Sequence, residues 1–277
     1  MLTRVISGAV MVLLLVPCII FSDTIALDII ISALSLMACY EMLGCIKYRN
    51  VWAISVPAYI ISVFLPLTVR VLDLKMSMSN LVVVVFVAFM FYILSYSVFS
   101  HGKHSPMNAS TVFVMIFYII FGFSSIIAIR ESANGQYLFL LVFISAWVSD
   151  TGAYFAGVFF GKHKLIPDVS PKKTVEGAVG GLLCCLLGFI VFGVVLERFF
   201  NCDPCYILLA VMGVLLCIIS ICGDLIASLV KRNYELKDYG NLIPGHGGIM
   251  DRFDSIIATA SILYLLLNIP FIANNIL

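Results

Sequence analysis

The sequence predicts an all-α polytopic membrane protein, and three observations carry that reading. The composition is 62% hydrophobic and only 11% charged, with a mean hydropathy of +1.14. A soluble domain carries about 25% charged residues, so this chain lacks the polar surface that one needs. Apolar runs recur along it at about 17 to 25 residues, the length that crosses ~30 Å of hydrocarbon as a helix. The 16 basic residues fall largely in the short segments between those runs.

Nine runs are expected to span, at 5–22, 25–44, 52–69, 80–98, 109–129, 137–160, 174–196, 205–230 and 250–273. A count of eight also fits, because boundaries read from hydropathy shift by several residues. Together they form one membrane domain over 1–277, with a helical array at 1–140 and chemistry-bearing helices and cytoplasmic loops at 141–277. The first run follows Met1-Leu2-Thr3-Arg4 and shows no small-residue cleavage site, so it reads as a retained helix rather than a signal peptide. Only a few residues around Asp23 join it to the second run, which points to a helical hairpin.

The nine cysteines are odd in number and mostly lie in apolar surroundings, which argues against a disulfide framework. Cys202-x-x-Cys205 is placed to pair, but no second such pair or nearby histidine accompanies it for zinc. The net charge of +1 and the lack of basic runs away from the membrane flanks give no sign of nucleic-acid binding.

Orientation follows from the basic residues. With a cytoplasmic N-terminus, only Arg70, Lys75, Arg130 and Arg198 fall outside, and the other twelve of 16 fall inside. Both richest polar segments, 161–173 and 231–249, then face the cytoplasm, in a protein of the cytoplasmic membrane.

A carboxylate at membrane depth costs roughly 2.5–3.5 kcal/mol on insertion scales, so it needs a partner or a task. Asp28 and Glu41 in the second run read best as structural or interfacial contacts, while Asp150 stands between a structural and a functional role. Asp224 reads as functional because Ser228 and Lys231 follow at i+4 and i+7, on one helical face. That stripe ends in Lys231-Arg232 at the cytoplasmic surface and resembles one wall of a wet cavity, the alternative being a hydrogen-bonded helix seam.

Beyond it, residues 240–248 hold four glycines and Pro244, a composition that excludes a helix interior. The apolar run restarts at once, which sets Gly247-Gly248 near a helix N-terminus, where free N–H groups favour phosphate. Asp251 and Asp254, at i and i+3, share a face of that first turn. Carboxylates beside such a loop point to a divalent ion that bridges protein and phosphates. A plain connector followed by acids that favour the helix dipole is the simpler alternative.

The pattern Ser228-x-Val230-Lys231-Arg232-x4-Lys237-Asp238-x-Gly240-x2-Ile243-Pro244-x-His246-Gly247-Gly248-Ile249-x-Asp251-Arg252-Phe253-Asp254 resembles the signature of the phosphatidate cytidylyltransferases. The resemblance extends to Ser149-Asp150-Thr151-Gly152-Ala153-Tyr154, to Gly161-Lys162-His163-Lys164 and to Ser170-Pro171-Lys172-Lys173-Thr174-x-Glu176-Gly177. Residues 1–140 are similar only in being a hydrophobic helical array.

The resemblance implies cytidylyl transfer from CTP to phosphatidic acid, giving CDP-diacylglycerol and pyrophosphate. It also implies Mg2+, with K+ as a second ion, and a homodimer. Its metal-holding aspartates correspond to Asp224 and Asp251. Asp254, Lys231 and Arg252 join them as catalytic candidates. The candidates for binding substrate are Lys172, Lys173, Ser228, Arg232, Lys237, His246, Gly247, Gly248 and Asp150. Lys162 and Lys164 read better as a topology signal.

A polyprenol kinase-like enzyme that uses CTP is the nearest rival, and an ion-coupled transporter is the rival from another class. Transporters usually show repeated halves with matching broken helices. Here the polar residues concentrate in the C-terminal half.

The orientation is open to a direct check by cysteine labelling, in a variant from which the native cysteines have been removed. A cysteine at position 240 is expected to resist an impermeant thiol reagent added to intact cells. Labelling from outside would reverse the topology.

Overall fold

The computed structural model describes residues 21–71, 78–100, 105–242 and 247–277. The expected first span, 5–22, therefore lies almost wholly outside the described residues. The next seven apolar runs become helices α1 (Ile25–Cys45), α2 (Trp52–Val71), α3 (Met78–Phe99), α4 (Pro106–Arg130), α5 (Gly135–Phe160), α6 (Val175–Phe200) and α7 (Tyr206–Asn233). Among the described residues, these seven are long and apolar enough to cross a membrane. The chain is an integral, nearly all-helical membrane protein. Pro57 and Pro66 sit inside α2, a placement that membrane helices tolerate where neighbours re-satisfy the backbone.

The last expected run does not continue to 273. It forms α8 (Met250–Leu267), breaks at Asn268–Ile269, and restarts as the short α9 (Pro270–Asn275). Pro270 forces the break, because the residue before a proline is pushed out of helical geometry and Ile269 is extended, at φ −84° and ψ 115°.

The chain divides into two compact units. The first holds residues 1–128 together with 234–253, and the second holds 129–233 with 254–277. The first boundary between the units falls after residue 128, and residues 234–253 go with the N-terminal helices. In the first unit α1 packs along α2, and Ile116, Ile119, Ile120 and Phe123 of α4 are fully buried. In the second unit α5 packs on α6 and α6 on α7, with Cys185, Phe189, Leu216, Cys217 and Leu263 buried.

The polar segment after α5, expected as a plain loop, folds as a hairpin. Its strands are β1 (Lys164–Ile166) and β2 (Ser170–Thr174), antiparallel, with Lys164 opposite Thr174 and Ile166 opposite Ser170. Pro167-Asp168 supplies the turn chemistry between them. The hairpin runs straight into α6, whose N-cap Thr174 accepts the Gly177 N–H at 3.1 Å. Glu176, in that first turn, accepts the backbone N–H groups of Lys162 and His163 and pairs with His163 Nδ1 at 2.7 Å. These bonds tie both ends of the hairpin to one helix start.

Asp28 is a structural carboxylate. It is fully buried on α1 and meets Arg70 Nε at 2.9 Å, while Arg70 also donates to the carbonyls of Ser22 and Asp23. One guanidinium thus neutralises a buried charge and clamps the turn that leads into α1. Breaking a buried pair by removing one partner typically costs about 3–5 kcal/mol. Arg70→Met is therefore expected to lower the unfolding temperature in detergent sharply. Arg70→Met combined with Asp28→Asn is expected to recover much of the loss. Equal stability of Arg70→Met and the parent protein would contradict this role.

Candidate active site

In the second unit the site is built on α7. Asp224, Ser228 and Lys231 do share one face, as their spacing predicts, and Ser228 Oγ donates to Asp224 Oδ1 at 3.2 Å. Lys173 reaches in from β2 and places Nζ 2.7 Å from Asp224 Oδ2. Both carboxylate oxygens therefore have donors, and the Asp224 side chain remains 30% exposed. Lys172, one residue earlier on the strand, is exposed. Alternating strand geometry separates two lysines that look equivalent in sequence.

Asp254, on the first turn of α8, is 7% exposed and accepts the Ser255 N–H at 2.8 Å. Asp224 and Asp150 are its like-charged neighbours, and Lys231 is its counter-charge. Lys231 itself is 9% exposed, so its charge serves the interior rather than the lipid headgroups. Gly223 makes this arrangement fit. A Cβ there would lie 2.6 Å from Ala258 Cβ and 2.9 Å from the Asp254 carbonyl. Ser255 Oγ adds a bond to the Ser220 carbonyl at 3.2 Å, so α7 and α8 meet closely where their carboxylates stand.

In the first unit the described residues on either side of 243–246 meet at a second carboxylate. Asp251 Oδ2 accepts the N–H of Tyr239 at 2.8 Å and of Gly248 at 2.9 Å. Gly247 has φ 81°, a left-handed conformation that favours glycine. Glu41 of α1 accepts the N–H of Ile249 at 3.0 Å and of Met250 at 2.9 Å. Of the two glycines that the sequence offered to phosphate, Gly247 and Gly248, the N–H of Gly248 is thus held by a carboxylate, as are the next two, of Ile249 and Met250. Tyr239 is buried, whereas Lys237 and Arg232 are exposed and Arg252 lies outward on α8. Burial also pushes the phenol of Tyr234, at the start of this segment, above its usual range, so it stays neutral at physiological pH. His246 lies outside the described residues.

Sequence reasoning missed Glu41 as a site residue, because its partners are more than 200 residues away. No local spacing could reveal them.

The donor chemistry fits a hard cation. Among the described residues, no three His, Cys, Asp or Glu side chains are grouped to hold a metal by themselves. Magnesium needs fewer, since it takes one or two carboxylates and completes its shell with water and phosphate oxygens. The three carboxylates Asp150, Asp224 and Asp254 stand with two ammonium groups, Lys173 and Lys231.

Helices long and apolar enough to span a bilayer, with this charged cluster built on one of them, are the features expected of a membrane enzyme. The comparison with known proteins is specific. Residues 2–270 match the cytidylyltransferase family, and the chain belongs to that family, as a nucleotidyltransferase. A phosphatidate cytidylyltransferase of Staphylococcus haemolyticus is 35% identical over 271 residues, covering 96% of this chain and 99% of that protein. Its counterpart in Staphylococcus aureus is 34% identical over 273 residues, with the same coverage of 96% and 99%. That of Staphylococcus saprophyticus is 40% identical over 181 residues, 65% of this chain and 67% of that protein.

Proposed function

We propose that this chain transfers the cytidylyl group of CTP to phosphatidic acid, for phospholipid synthesis, at the cytoplasmic face of the cytoplasmic membrane and as a homodimer. An oxygen of the lipid phosphate attacks the α-phosphorus of CTP. The bond from the α-phosphorus to the bridging oxygen breaks, pyrophosphate leaves, and CDP-diacylglycerol forms. The observation that carries the reading is the Lys173–Asp224–Ser228 cluster beside Lys231 and Asp254, in a chain of this family.

Such a transfer asks little covalent chemistry of a protein, because the nucleophile is already an anion and pyrophosphate is a good leaving group. Positioning and charge neutralisation do most of the work. Lys173 aims Asp224, and Ser228 fixes the second oxygen of that carboxylate. Lys231 balances Asp254 inside the protein and adds positive charge at the polar end of α7. Arg252, Arg232, Lys237 and Lys172 are the supply of cations for the triphosphate and the lipid phosphate. Asp224 and Asp251 stand at the family's metal-holding positions, and each is a candidate ligand for magnesium. When bound, the ion neutralises charge on the attacking and leaving oxygens. The lipid reaches this chemistry sideways from the cytoplasmic leaflet, since the polar stripe from Asp224 to Lys231 starts at membrane depth and ends at the surface.

Purified protein in detergent is expected to make CDP-diacylglycerol from CTP and phosphatidic acid only when magnesium is present. Asp224→Asn and Asp251→Asn are expected to lower turnover at saturating magnesium by at least about 10²–10³, the loss seen when one stabiliser of developing charge is removed. Lys173→Ala is expected to cost about 10-fold or more, the range of a charge-assisted hydrogen bond. Lys172→Ala and Asp238→Asn are expected to cost less than Lys173→Ala. Retention of more than about a tenth of the turnover by Asp224→Asn would contradict the assignment.

A further inference from the structure

We infer that Glu41 is a positioning residue for the reaction: from α1 it holds residues 247–251 in the conformation that presents Asp251. The inference rests on the cytidylyl-transfer reading for the role of Asp251, and on the geometry of the first unit for everything else.

Glu41 lies one turn before the end of α1 and is 6% exposed. A carboxylate so buried is costly unless its oxygens are satisfied. Here both are, by amides that themselves need acceptors. The first N–H groups of any helix lack intrahelical partners, and a side-chain oxygen at the cap normally takes them. The residue before α8 is Ile249, which has no such oxygen. Glu41 supplies the missing cap from a distant part of the chain, with Oε1 on Ile249 N–H and Oε2 on Met250 N–H. Negative charge at this position also suits the positive end of the helix dipole.

The glycines of the segment bear out the same geometry. A Cβ at Gly240 would lie 2.5 Å from Glu41 Oε1, and one at Gly248 would collide with both oxygens. Two of the signature glycines are therefore contact points for Glu41. Asp251 completes the set by taking the N–H groups of Tyr239 and Gly248. Two carboxylates thus bind four backbone donors, three of them consecutive at Gly248, Ile249 and Met250, and release of one loosens the segment that orients the other. Arg49 steadies the anchor. Its guanidinium lies 3.9 Å over the Tyr40 ring, donates to the Tyr40 carbonyl, and provides counter-charge to Glu41.

The test uses the full-length protein in detergent and the variant Glu41→Gln, which keeps the shape but turns one acceptor into a donor. Three quantities are measured: amide exchange by mass spectrometry, the magnesium concentration for half-maximal activity, and the unfolding temperature. Exchange in 247–252 is expected to quicken at least tenfold while that of 116–127 is unchanged. The magnesium requirement is expected to rise at least tenfold. Unchanged exchange in 247–252 would overturn the inference. So would an unfolding temperature that falls while the magnesium requirement stays the same, because that outcome marks a purely structural carboxylate. If Glu41→Gln fails to fold, Gly248→Ala provides the second variant, since it displaces the carboxylate from the loop side and should reproduce both effects. If the parent protein makes no CDP-diacylglycerol, the reaction assignment fails, and the exchange comparison alone still decides whether Glu41 holds the loop.

Discussion

A carboxylate inside a bundle of apolar helices must be partnered, and that constraint organises this protein. Water is scarce there, so an unpaired charge is heavily penalised and the chain must supply its own donors. Asp28 is met by a guanidinium, Glu41 by two backbone amides, and Asp224 by an ammonium and a hydroxyl. The kind of partner sorts the carboxylates by task. A guanidinium aimed at a fully buried aspartate makes a rivet. Amides on a glutamate make a cap. A lysine on a partly exposed aspartate leaves a charged pair open to solvent.

The same constraint explains the small residues near the charges. Gly223 lets α8 approach Asp224's helix, and Gly240 and Gly248 let the loop approach Glu41. Polar atoms in such a medium are satisfied only at hydrogen-bond distance, and side chains at these positions would hold the backbones apart. The hairpin of β1 and β2 serves a related end, because it delivers Lys173 to Asp224 from outside the helices. Thr174 and Glu176 anchor that hairpin to the start of α6.

Much of this was legible in the sequence. Each of the seven spanning helices lies within a few residues of an apolar run, because hydropathy over some twenty residues is a strong signal. The stripe of Asp224, Ser228 and Lys231 could be read from helical spacing alone. The less legible features depend on contacts that spacing does not encode. Lys172 and Lys173 are neighbours in sequence, and only strand alternation decides which one turns toward Asp224. The hairpin itself is short and polar, so no hydrophobic alternation announces it. Glu41 looked like an isolated polar residue in an apolar run until its partners, Ile249 and Met250, were brought against it. The break at Asn268 was written in Pro270, yet the apolar residues on both sides masked it.

The central claim is that the nucleotide's α-phosphorus, and not its γ-phosphorus, is the atom that is attacked. Incubating the purified protein and phosphatidic acid with CTP labelled at one phosphorus or the other separates the two chemistries. Cytidylyl transfer predicts that the α-label enters the lipid fraction with the cytidine, while the γ-label appears only in pyrophosphate. Transfer of the γ-label to lipid, with release of CDP, would identify a kinase and contradict the account.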